Sequence, residues 1–192
     1  TAQAAPVVTT TVTLRANLSA EATSPAAWDP ANPTQTSNFS TSVTVYDSLG
    51  SPHAVQVFFR KSGSGSWEWH AMTDGAGLTG GTAGQLSQIA NGTLAFDSQG
   101  RLTAVTQSSS FNPIGANNPQ ALSFDFGDPT GSGGTGLAGV TQFASASAAT
   151  FIGQDGFAPG QLSGVRVEQD GKISGVFSNG QTRVLGQVAV AG

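Results

Sequence analysis

Few residues in this chain of 192 are of types that do chemistry, and their spacing limits what that chemistry could be. There are two histidines, His53 and His70, and no cysteine. Neither histidine stands in a nucleophile elbow or an H-E-x-x-H metal spacing, so general-base and zinc chemistry lack their usual local partners. Asp125 and Asp128 come nearest to the carboxylate pair of a glycoside hydrolase, in which one acid is protonated and the other ionised. Asp128-Pro129-Thr130-Gly131 reads better as a turn, and Asp125 falls on the solvent side of a strand that carries Phe124 and Phe126. Gly131-Ser132-Gly133-Gly134-Thr135-Gly136 matches G-x-G-x-x-G, with Asp155 downstream. A dinucleotide fingerprint must open a helix within a βαβ unit, however, and the β-rich surroundings here predict a flexible loop instead. Trp67 and Trp69 share a strand face, where indoles either fill a core or form a sugar-stacking platform; the large area each can bury favours the core. The sequence therefore predicts no catalytic, cofactor-binding or metal-ligating residue.

Composition narrows the field further. Charged residues are 9% of the chain, against ~25% in an average soluble protein, and its 26 glycines are about twice the usual ~7% share. The surface must then be built largely from Ser, Thr, Asn and Gln. With seven Lys and Arg against eleven Asp and Glu, no basic patch is available for a phosphate backbone, which argues against nucleic acid. No apolar run approaches the ~18 residues of a transmembrane helix, so a membrane partner is not expected. The opening Thr1-Ala2-Gln3-Ala4-Ala5-Pro6 has neither signal-peptide features nor an initiator Met, and reads as the start of a fragment.

The elements that position these residues follow from period-two alternation, which recurs along the chain with no sustained helical stripe. Strands are expected near 7–14, 39–46, 54–61, 67–73, 93–96, 101–106, 122–126, 165–168, 173–177 and 184–190. Phe39, Thr41, Val43 and Val45 share one face of their strand, and Val55, Val57 and Phe59 form a matching row on the next. Asp47-Ser48-Leu49-Gly50-Ser51-Pro52 and Asp97-Ser98-Gln99-Gly100 supply turns in which Asp accepts from backbone amides and Gly takes a left-handed conformation. Segments 19–37, 75–91 and 126–139 read as loops, with a single helical turn over 85–89. Phe39, Val43, Val45, Val57, Phe59, Trp67, Phe96, Leu102 and Phe124 are the expected core.

Two blocks carry a family resemblance. The first runs Phe39-x-x-x-Val43-Thr44-Val45-Tyr46-Asp47-Ser48-Leu49-Gly50-x-x-His53, followed by Val57-Phe58-Phe59-Arg60-Lys61 and Trp67. It resembles the outer domain of the bacterial flagellar hook protein. The second, from Gln154-Asp155-Gly156-Phe157 through Ser178-Asn179-Gly180-Gln181 to Leu185-Gly186-Gln187-Val188, is similar to the return into the domain beneath, and flagellar rod proteins share it. The resemblance implies a structural, non-enzymatic subunit that polymerises helically into a flexible extracellular tube, the universal joint carrying torque from motor to filament. Its partners would be copies of itself, other axial proteins and the hook cap. The terminal helices of that family would lie outside this chain, and the isolated piece is expected to be monomeric.

The fold expected is all-β: an antiparallel flattened barrel or sandwich with long Gly-, Pro- and Ser-rich loops over residues 1–160. A β-rich segment over 161–192 would belong to an adjoining, incomplete middle domain. A carbohydrate-binding or adhesin-type module using Trp67 and Trp69 is the alternative reading.

Overall fold

In the computed structural model, which describes residues 3–188, regular structure is strand throughout apart from two short 3-10 turns at Gly75–Gly77 and Thr130–Ser132. The strands are β1 (Gln3–Ala4), β2 (Thr11–Asn17), β3 (Phe39–Tyr46), β4 (Pro52–Gly63), β5 (Ser66–Asp74), β6 (Leu86–Phe96), β7 (Leu102–Ser109), β8 (Ser123–Asp125), β9 (Ala148–Gln154), β10 (Gly160–Val167), β11 (Lys172–Phe177) and β12 (Thr182–Gln187). They form a five-stranded meander β3-β4-β5-β6-β7, a three-stranded sheet β8-β2-β9 and a four-stranded sheet β1-β10-β11-β12.

Alternation in the sequence sets the register of the meander. Phe39, Thr41 and Val43 of β3 lie opposite Phe59, Val57 and Val55 of β4, so the two apolar rows face the same side. The turn between them works as its residues dictate: Asp47 Oδ1 accepts from the Leu49 and Ser51 amides, both at 2.9 Å, while Gly50 sits at φ 81°. Asp97 repeats this between β6 and β7, accepting from the Gln99 and Arg101 amides, with Gly100 at φ 75°. Such hairpins let a buried face form without backbone strain.

The core lies between the meander and the three-stranded sheet. Val12, Leu14 and Ala16 of β2 project onto Val55, Val57, Phe59, Trp67, Trp69 and Leu94, all of them buried. The Trp69 indole packs against Phe124 and Phe126, with ring centroids 4.9 Å from each. β9 runs beside β3 and β8 beside β7, so the two sheets curl toward one another at both margins as a flattened barrel. Side chains stitch those margins. Buried Thr9 donates its amide to Tyr46 O at 2.9 Å and its hydroxyl to Gln154 Oε1 at 2.7 Å, and Gln120 Nε2 donates to both Thr9 O and Tyr46 O. On the far side the Phe124 amide donates to Gln107 Oε1 at 2.9 Å.

Several expectations need correction. The helical turn over 85–89 is instead the start of β6, where Met72 and Gln88 pair across a bulge that makes Ile89 an extra, buried residue. Segment 148–154, read as neither strand nor turn, forms β9 against β2 because it pairs through backbone, with Ala and Thr giving no apolar alternation. The strand expected over 7–14 begins at Thr11 and runs on to Asn17, with Val7 making an isolated bridge to Phe157. The β2–β8 pairing is parallel, a departure from a wholly antiparallel plan. Phe39 and Val43 are half-buried at the margin of the core, whereas the other seven expected core residues are buried. In the last expected strand, 184–190, residues 189 and 190 lie outside the described residues, and β12 covers 182–187.

Candidate functional site

Each residue singled out for chemistry turns out to have a structural partner. Trp67 and Trp69 are both fully buried, which overturns the sugar platform: their rings face the core and no flat indole surface meets solvent. Their Nε1 atoms donate to Gln142 Oε1 at 2.7 Å and to Thr106 O at 3.2 Å, which satisfies the polar edge that a buried indole must place. Asp125 is ion-paired with Arg15 at 2.8 Å, and that hydrogen bond, over opposing burial, holds its carboxyl below the ordinary range. A carboxyl held ionised in this way is unsuited to act as a general acid. Exposed Asp128 accepts the Gly136 amide through its backbone carbonyl, so its part here is the turn.

The Gly131–Gly136 stretch is a loop around a three-residue 3-10 turn that ends on left-handed Gly133, and no helix follows it. Asp155, the acid downstream of it, caps the start of β2. Its Oδ1 accepts the Thr10 and Thr11 amides at 2.8 and 3.0 Å, and although burial opposes ionisation, these bonds and the Thr10 hydroxyl keep its carboxyl below the ordinary range. His53 lies 3.1 Å from Asp47 Oδ2, beside the β3–β4 turn.

Sequence reasoning missed the segment 19–37. It is irregular, as its composition suggests, but it is pinned across the outer face of the meander as a strap. Arg60 donates to Ala26 O at 2.7 Å and to Pro25 O at 3.3 Å while pairing with Glu68 at 3.1 Å. Lys61 Nζ donates to Ala20 O, and Asn38 Nδ2 to Thr23 O at 2.7 Å. Trp28 lies flat on His70, with ring centroids 4.0 Å apart and planes within 2°. One aromatic in a Pro- and Ala-rich stretch was the available signal.

Most cations are engaged within the chain: Arg15 with Asp125, Arg60 with Glu68, Arg101 with Asp97 and Lys172 with Asp170. The outer surface of the barrel is nearly free of unpaired cations, and among its polar groups it exposes single large apolar side chains such as Leu49, Ile114, Leu137 and Phe151. The four-stranded sheet exposes them too. Val165, Val167, Val184 and Leu185 are exposed on it, and a Cβ added at Gly175 would meet Leu162 and Leu185 side chains at 2.8 Å each, so Gly175 lets these leucines close together on one side.

The described residues define an all-β scaffold of curled sheets whose polar side chains are bonded largely to its own backbone. The particular family follows from comparison. Residues 17–157 match the model of the flagellar basal body protein FlaE D2 domain, and the chain belongs to that family. It is 36% identical over 154 residues to the flagellar hook protein FlgE of Helicobacter pylori (strain ATCC 700392 / 26695), covering 79% of this chain and 21% of that protein. Identity is 31% over 186 residues to FlgE of Treponema pallidum, covering 81% and 39%, and 30% over 151 residues to FlgE of Escherichia coli K12, covering 78% and 34%. The chain thus spans between 21% and 39% of the length of these relatives. The crystal structure of Helicobacter pylori flagellar hook protein FlgE2 is similar in fold, with a TM-score of 0.50 and 19% identity over 78% of this chain and 32% of that one.

Proposed function

We propose that this chain is the outer part of a bacterial flagellar hook subunit, which polymerises helically into the flexible tube joining motor to filament. The observation that carries this reading is the family match over 17–157 together with relatives named flagellar hook protein along most of the chain. Its work is mechanical, its location is the extracellular hook, and its partners are copies of itself, neighbouring axial proteins and the hook cap.

The surface chemistry supports a joint. Neighbours that slide during each rotation must break and remake contacts, and desolvated ion pairs resist this because buried charges need fixed partners. Hydroxyl and amide surfaces exchange protein for water at a net ~1 kcal/mol per hydrogen bond. A barrel surface whose cations are mostly paired internally suits the second regime.

Residues 1–160 are the outer domain in this reading, and 161–192 contribute to an adjoining middle domain. In support, the core cluster takes no residue from β10, β11 or β12, and the sheet those strands form keeps exposed apolar side chains. Antibodies raised against this chain test the assignment: they should decorate isolated hooks of the source bacterium by immunogold microscopy. Labelling confined to the rod or the long filament would overturn it.

A further inference from the structure

The outer face of the meander carries a buried histidine that the mechanical reading does not use. His70 is 8% exposed, under the Trp28 ring, and its Nδ1 lies 2.7 Å from Gln88 Oε1. With that acceptor at Nδ1 the proton sits there, and Nε2 is left as a buried lone pair without a hydrogen-bond partner. The charged groups that face it are Glu68 on its own strand, with Oε2 3.9 Å from Nε2, and Arg60 on β4, which pairs with the same oxygen at 3.1 Å. From β6 come the uncharged Gln88 and Asn91, and from the strap comes Trp28, whose neighbour Asp29 is turned to Asn32 and the Ala31 amide.

We propose that His70 and Trp28 form a proton-operated latch, in which proton uptake by the covered imidazole releases the 19–37 strap from the outer face of the meander. The neutral ring suits a dry stack against indole. The imidazolium gains Glu68 and a cation–π contact, but it loses solvation and stands beside Arg60, whose guanidinium also anchors the strap. Burial dominates this balance and holds His70 below its ordinary value. Linkage then fixes the sign. A cover that disfavours the proton is itself disfavoured by the proton, so the strap is held fully above pH ~6.5 and loosens as pH falls below it. Release would uncover Phe58, which lies under the same indole at a centroid distance of 5.7 Å.

The test is NMR on this chain, following the His70 ring and the amides of the strap with pH. The His70 midpoint is expected below 6.5 in the parent and higher, toward 6.5, in Trp28→Ala. After correction for intrinsic rates, exchange of strap amides should rise roughly tenfold between pH 7.5 and pH 5 in the parent and stay flat in His70→Phe, which stacks but cannot charge. An unchanged midpoint in Trp28→Ala, or strap exchange equally pH-dependent in His70→Phe, would overturn the latch.

Discussion

Asp47 shows how the few charged residues of this chain are employed. It is 2% exposed, and its carboxylate binds two turn amides and His53. Burial opposes its ionisation, but these hydrogen bonds outweigh burial and hold the carboxyl below its ordinary value, as other bonds do for Asp125 and Asp155. A depressed folded value means stabilisation that is complete above the unfolded pKa of ~3.9 and is lost as pH falls through the folded values. Melting temperature should therefore drop steeply below pH ~4, and Asp47→Asn should lower it near neutrality while flattening the acid limb. Parallel acid limbs in parent and variant would show that Asp47 contributes nothing to this dependence. In the core, Phe59 is fully buried between Phe39 and Phe126, at centroid distances of 6.0 and 6.2 Å. Phe59→Ala should cost about 3–5 kcal/mol in urea unfolding, and a value near zero would place the ring outside the core.

Turns and strands with two-residue alternation were legible because their signal is local. Phe39 to Tyr46 begins and ends where its pattern says, and the two Asp-x-x-Gly turns do what those residue types do anywhere. β9 and the first half of β6 were not legible. Ala148 and Ala149 pair through backbone to β2, with Thr150 bulged out and its hydroxyl donating to Arg15 O, and the stretch Leu86 to Gln88 pairs with Met72 to Asp74, so in both places tertiary context supplies what side-chain alternation lacks. The strap was hidden for the same reason, since Arg60 and Trp28 reveal their part only when 19–37 meets the meander. Gly50 joins the local and long-range levels. It needs φ 81° for the turn, and a Cβ there would lie 2.5 Å from Pro159 and 2.7 Å from Pro6. Gly50→Ala should cost at least about 1–2 kcal/mol from the left-handed backbone alone, measured by thermal melting, and an unchanged melting temperature would mean that position 50 does not need the left-handed conformation.

For the whole molecule, the residues the sequence offered for chemistry are taken up in packing and turns: Trp67 and Trp69 in the core, Asp125 on Arg15 and Asp155 on the start of β2. The sequence favoured the core for Trp67 and Trp69 with a sugar platform as the alternative, and their full burial excludes the platform. The isolated chain should elute as a monomer in light-scattering chromatography; a stable dimer would implicate the exposed apolar side chains, Leu49, Ile114, Leu137 and Phe151 on the barrel or the valines of the four-stranded sheet. The most direct measurement is a helical reconstruction of native hooks from the source bacterium. The account predicts an outer layer of density into which the flattened barrel of residues 11–154 fits, with neighbouring barrels touching through hydroxyl and amide side chains that change partners between the inner and outer side of the bend. Barrels absent from the hook wall, or locked to their neighbours by ion pairs unchanged around the bend, would contradict it.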